Sequence, residues 1–216
     1  MKYPRFLVIE GPDGSGKTTQ LHMLRDYLES KGVEVVMVRE PGGTVVGEGI
    51  RQLFKDNFGK TDPLAEALMM LAARQQLTAE VIEPAFARGA WVISDRHTPS
   101  LFAYQGGGQQ LGFSALIRLR EGLGDRNRNA DATVILTVDP EERQRRLDAR
   151  GELDKIDTAG EAFSTRVAEA YDEMINGNWS LQMGVLHDVD GNGNPDEVHA
   201  SILDTLYFDL KDLDRE

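Results

Sequence analysis

Residues Gly11-Pro12-Asp13-Gly14-Ser15-Gly16-Lys17-Thr18 fit the pattern G-x-x-x-x-G-K-[ST] at every required position, directly after the apolar run Phe6-Leu7-Val8-Ile9. A strand, a phosphate-binding loop (P-loop) and a helix start are predicted in that order. Glycines at 11, 14 and 16 let backbone amides turn inward around a β-phosphate, and the N-terminus of the next helix adds about half a positive charge. Lys17 would reach the β- and γ-phosphates, Thr18 would hold Mg2+, and Pro12, Ser15 and Thr19 complete the nucleotide-binding stretch. A chance glycine-rich turn is the bland alternative, and the complete pattern in its required context weighs against it. Binding of ATP or GTP is the starting point.

The chain's 216 residues are enough to bury one substantial core, and no Pro/Gly/Ser-rich linker divides them, so a single domain over residues 1–216 is expected. A net charge of -12 argues against an electrostatic grip on nucleic acid or an anionic membrane. Basic residues gathered near the P-loop then face a small anionic ligand. The absence of cysteine excludes disulfides and thiolate metal sites. The apolar segment within residues 1–10 is too short for a signal peptide, and no stretch approaches a membrane span, so a cytoplasmic protein is expected.

Leu21, Leu24 and Leu28 recur at helical spacing after the P-loop until Lys31-Gly32 supplies a stop. Further strands are predicted at Val33–Val38, Ala90–Ser94, Thr133–Val138 and Val185–Val189. They alternate with helices starting near Pro140, Gly160 and Pro195. Residues Pro63–Arg88 read as one long helix or two, bent near Pro84. That rhythm predicts an α/β fold with a parallel five-stranded sheet flanked by helices on both faces. Ligands of such sheets bind at the carboxyl ends of the strands, where Asp13, Arg39 and Asp95 should converge. Arg39 and Arg96, each just past a strand end, are placed to neutralise an acceptor phosphate with planar donor forks, and the Asp95 carboxylate sits where a metal shell needs it. The competing reading is that either arginine caps a carbonyl or pairs with Glu40.

Six segments in order then give the chain a resemblance to the thymidylate kinase family over almost its whole length. They are Ile9–Thr19, Arg39–Thr44, Ala72–Gln76, Asp95–His97, Ala103–Gly106 and Arg150–Lys155. The resemblance implies a P-loop kinase fold with a short lid at about residues 145–160. It also implies transfer of the γ-phosphate of ATP to dTMP with Mg2+, supplying dTTP for DNA synthesis, in a homodimer built from helices. By the same resemblance Asp13 binds the deoxyribose 3′-hydroxyl, and Arg39 and Arg96 grip the acceptor phosphate. Arg74 bonds the pyrimidine carbonyl and Tyr104 crowds the sugar 2′ position, with Ser100 and Gln105 in the same loop. Arg146 and Arg150 belong to the lid. Because Gly14 follows Asp13, the chain sorts with the type that keeps its catalytic arginine in the lid, and Arg150 takes that role. On helical spacing alone Arg74 would be a solvated face residue, and Arg143, Arg145 and Arg146 would pair with Glu141, Glu142 and Asp148.

Several positions depart from the family. Met70 stands where a phenylalanine usually stacks on thymine, Leu101 replaces a small polar residue, Gln109 replaces an arginine and Lys155 replaces a lid arginine. A flexible thioether covers rings of variable size, so the expectation extends to a related deoxypyrimidine changed at its 5-position, such as 5-hydroxymethyl-dUMP. A nucleotide-dependent switch protein is a weaker alternative, since no Asn-Lys-x-Asp follows a late strand. Asp188–Asp196 opens like a calcium loop but ends on His199 where a glutamate is needed, and reads instead as a turn followed by a helix start.

Overall fold

The computed structural model describes residues 5–57, 60–123, 128–150 and 160–213. Its centre is a five-stranded parallel sheet, β1 (Phe6–Glu10), β2 (Val35–Arg39), β3 (Trp91–Asp95), β4 (Ala132–Thr137) and β5 (Val185–Asp190), ordered β2-β3-β1-β4-β5. The register pairs Phe6 with Val92 and Ile9 with Asp95, so β1 and β3 end side by side. Every residue of β1 is buried, as expected where helices cover both faces. Alternation sorts its side chains. Leu7 and Ile9 pack with Leu21, Leu24 and Leu28 of α1 (Lys17–Ser30) and with Val198 and Ile202 of the helix Pro195–Thr205, while Phe6 and Val8 pack with Leu77 and Ile82 on the other face.

Along the chain follow α2 (Val45–Asn57), α3 (Pro63–Leu77), α4 (Glu83–Ala87), α5 (Thr98–Leu101), α6 (Phe113–Glu121), α7 (Pro140–Arg150), α8 (Glu161–Asn176), α9 (Ser180–Met183), α10 (Pro195–Thr205) and α11 (Tyr207–Leu210). Asp62 starts α3 by accepting from the Leu64 and Ala65 amides, with Pro63 at the first helical position. The predicted bend before Arg88 takes the form of a widened π turn at Thr78–Ile82, so that Pro84, which has no N–H to give, falls in the first turn of α4. Asn194 and Glu197 form a capping box on α10, and Asp190 accepts from Asn192, so the Asp188–Asp196 stretch is held together by turn and cap bonds.

Helices α2, α5 and α6 are among those not predicted. α2 carries two glycines and exposes Val45, and its helical state is supported by packing against α3. α5 runs into a second π turn at Phe102–Gly108, followed by α6, and the three glycines at its end read locally as a loop. Tertiary contact explains them. A Cβ at Gly107 would lie 2.6 Å from the Ala170 Cβ, so only glycine lets α8 come this close.

Candidate active site

The P-loop joins the buried end of β1 to α1. A Cβ at Gly11 would meet the Leu136 carbonyl oxygen at 2.6 Å, so the loop can lie against β4 only with glycine there. Gly16, in a left-handed conformation, precedes α1 with no capping side chain and no acidic residue in the first turn. The N-terminal amides of α1 are thus left for an anion. Lys17 is buried and donates to the Pro12 carbonyl at 2.8 Å. Burial, then the Arg96 charge, hold its pKa down to about 8, against the opposing pull of Asp13, Asp95 and Glu10.

A cavity of about 910 Å3 opens over this loop, and Asp13, Lys17, Thr18, Arg39, Asp95 and Arg96 all line it. The predicted convergence at the strand ends is therefore present. Arg96 sits in the left-handed region at φ 70, with its amide bonded to the Ile9 carbonyl. Its guanidinium donates to Asp13 Oδ1 at 2.7 Å, to the Gly11 carbonyl and to Ser100 Oγ, and lies 5.1 Å over the Tyr104 ring. Burial pushes the Asp13 pKa up, but the charges of Arg96, Lys17 and Arg143 outweigh it and hold the carboxyl well below the usual range. Arg39 Nη2 donates to both carboxylate oxygens of Glu48, at 3.0 and 2.9 Å, so its acidic partner is not Glu40. Asp95 Oδ1 is buried without a hydrogen-bond partner.

Glu40 pairs inward instead. Its carboxylate accepts from Arg74 Nε and faces His97 Nδ1, each at 2.7 Å, and Arg74 also donates to Thr98. Burial raises the Glu40 pKa, yet Arg74 and His97 bring it to about 2. Arg74 is only 3 % exposed, which corrects the reading of it as a solvated face residue. Its Nη2 remains buried with no partner. Sequence reasoning missed Glu10 as well. This fully buried residue ends β1 and collects donors from the β3–α5 corner, and nothing in the local pattern marks a carboxylate that tertiary donors will surround.

The α7 arginines divide by role. Arg145 pairs with Glu142 in solvent, as the solvated-face reading expects. Arg143 donates to the Asp13 carbonyl, and Arg146 bridges Glu142 to the carbonyls of Ser15, Gly191 and Asn192. α7 is thereby pinned across the P-loop. A second cavity of about 530 Å3 adjoins it, lined by Gly16, Thr19, Arg146 and the Gly191–Pro195 turn. Arg150 ends α7, but its side chain, and residues 151–159 with Lys155 and most of the expected lid, lie outside the described residues.

A family model described as thymidylate kinase matches residues 9–202. The chain belongs to the thymidylate kinase family. It is 39% identical over 201 residues to the thymidylate kinase of Idiomarina loihiensis, covering 92% of this chain and 95% of the relative. It is 45% identical over 171 residues to that of Paraburkholderia xenovorans, covering 77% and 82%. Among solved structures, the crystal structure of thymidylate kinase from Ehrlichia chaffeensis superposes with a TM-score of 0.72 at 31% identity, covering 94% of this chain and 98% of that one. The parallel sheet and P-loop kinase fold agree with that neighbour.

Membership in the thymidylate kinase family sharpens how the departures are read. Met70 and Leu101 both lie in the core cluster with Phe102, Ala103 and Leu116, and neither lines the large cavity. The extension to 5-modified pyrimidines rested on these two, and the thymidylate kinase relatives do not favour it. Ser100 is buried and bonded to Arg96 and Glu10, also off the cavity wall. Gln105 and Gln109 both donate to the buried Glu66 carboxylate, so Gln109 meets an acid where the family commonly has arginine. Among the described residues no three acidic or histidine side chains form a metal cage. Thr18 with the orphaned Asp95 oxygen fits a Mg2+ ion that brings most of its ligands with a nucleotide.

Proposed function

We propose that the protein transfers the γ-phosphate of ATP to dTMP, giving ADP and dTDP. The observation that carries this reading is the single cavity in which a complete P-loop faces Arg39, Asp95 and Arg96, in a chain of this family. Phosphoryl transfer needs positioning and charge neutralisation above all. P-loop amides and Lys17 hold the donor phosphates, and the cavity between Arg146 and the Gly191–Pro195 turn takes the nucleoside end of ATP. Arg96 and Arg39 receive the acceptor phosphate. Asp13 takes the 3′-hydroxyl and Tyr104, under Arg96, closes the 2′ side. Arg74 has one free donor, Nη2, for the pyrimidine carbonyl. Thr18 and Asp95 would hold Mg2+, which would neutralise negative charge on the donor phosphates. Arg150, at the end of the helix pinned across the P-loop, meets the charge that develops on the transferring group.

Exposed apolar side chains support the homodimer. Val46 and Leu53 share one face of α2, Leu64 and Leu68 share one face of α3, and the two helices pack together. A net charge of -12, and described helices none of which is long and apolar enough to cross a membrane, are compatible with a cytoplasmic enzyme that binds neither nucleic acid nor lipid. A coupled assay across dTMP, dUMP, 5-hydroxymethyl-dUMP, dCMP and dGMP tests the activity. The highest kcat/KM is expected for dTMP, and a higher value for any other acceptor would overturn the assignment. Sedimentation velocity of the same preparation tests the dimer.

A further inference from the structure

Glu10 does not line the cavity, yet it gathers more donors than any group that does. Oε1 accepts from the His97 amide at 2.7 Å and the Ser100 amide at 3.0 Å. Oε2 accepts from Ser100 Oγ at 2.8 Å, Tyr171 Oη at 2.9 Å and the Gly11 amide at 3.3 Å. Three elements thus meet on one buried carboxylate: the P-loop, the β3–α5 corner and α8.

The direction of these bonds matters. A serine hydroxyl has one hydrogen, and Ser100 gives it to Glu10. The Ser100 oxygen can then only accept, and what it accepts is Arg96 Nη1 at 3.0 Å. Tyr171 also lies 3.2 Å from Ser100 Oγ, but its own single hydrogen is committed to the same carboxylate. Burial and then the Glu10 charge hold the Tyr171 pKa far up, so that hydrogen stays in place. The His97 and Ser100 amides on Oε1 fix the backbone on either side of the turn that leaves Arg96 at φ 70. We infer that Glu10 is a positioning residue which, through Ser100, aims the Arg96 guanidinium at the acceptor phosphate. This rests on the phosphotransferase reading of the site.

The test is a double-mutant cycle. Ser100→Ala removes the link while Glu10 and the corner amides stay in place. It should lower kcat/KM for dTMP roughly ten- to a hundredfold, the worth of one charge-assisted bond, with little change in KM for ATP. Ser100→Thr should restore most of the loss. In an Arg96→Ala background, Ser100→Ala should cost almost nothing more, because its effect travels through that arginine. Parental kinetics in Ser100→Ala, or a loss that simply adds to that of Arg96→Ala, would overturn the inference. Glu10→Gln, if it folds, should show the same selective loss on the acceptor side. A second readout does not need turnover. The guanidinium NMR signals of Arg96, assigned by their absence in Arg96→Ala, should report restricted rotation in the parent and faster rotation in Ser100→Ala. Unchanged rotation counts against Glu10, whereas an inactive parent with slowed Arg96 rotation counts against the dTMP reading alone.

Discussion

Lys17 should change charge when nucleotide arrives, and the structure gives the amount. Burial and the neighbouring Arg96 bring its pKa from 10.5 to about 8, a shift worth on the order of 3 kcal/mol. At pH 8 the free protein therefore holds Lys17 about half protonated. A triphosphate seated in the P-loop places several negative charges beside the amine and restores the ammonium form. Binding at pH 8 should then take up about half a proton per site, whereas at pH 6 the lysine is already charged and takes up almost none. Titration calorimetry with ATP alone, in buffers of different ionisation enthalpy, reads that number as a slope. A phosphate's last ionisation, at about pH 6, leaves ATP itself a small contributor at pH 8. The same shift has a stability consequence. Because the folded pKa lies below the unfolded one, its cost is fully present below about pH 8 and is relieved as pH rises toward 10.5. Absence of any buffer dependence at pH 8, or its persistence in Lys17→Arg, would refute this account.

Arg150→Ala should lower kcat far more than it raises KM for ATP, because the proposed charge develops only in the transition state; a pure KM effect in steady-state kinetics would make it a binding residue. Glu40→Gln leaves Arg74 and His97 buried without their carboxylate and should destabilise the fold by about 3–5 kcal/mol in urea unfolding. With its folded pKa about 2 against 4.5, Glu40 contributes stability fully present above about pH 4.5 and lost as pH falls through about 2, and the mutant should lack that acid limb. Gly107→Ala drives a methyl against Ala170 and the Arg166 carbonyl, and should cost about 1–3 kcal/mol in Tm-derived stability, partly recovered by Ala170→Gly.

Much of the fold was legible because its signals are local. The P-loop pattern, the five apolar runs and the helix starts at Pro63, Pro140 and Pro195 each act within a few residues of themselves. The elements that escaped are those whose state depends on a distant partner: α2 leans on α3, and the Phe102–Gly108 turn is shaped by α8. In the site, the strand-end residues Asp13, Arg39, Asp95 and Arg96 were legible because topology alone brings them together. Glu10 and the Arg74–Glu40–His97 cluster were not. A charged residue in a sequence is expected in water, and only the assembled fold shows the donors that let it be buried.

The parallel order β2-β3-β1 also acts as a measuring scale. Neighbouring strands stand about 4.8 Å apart, so the loops leaving β1, β3 and β2 begin at successive multiples of that spacing. The donor loop, the Asp95–Arg96 pair and Arg39 are spread along it like marks. Side chains at these marks can be exchanged without moving the marks themselves. Deleting one residue within β3 is a different kind of change: it would keep the pitch but invert the strand's two faces, turning Asp95 and Arg96 away from the cavity. A one-residue change in the length of β3 should therefore be tolerated far less well than a substitution on its surface that keeps that length.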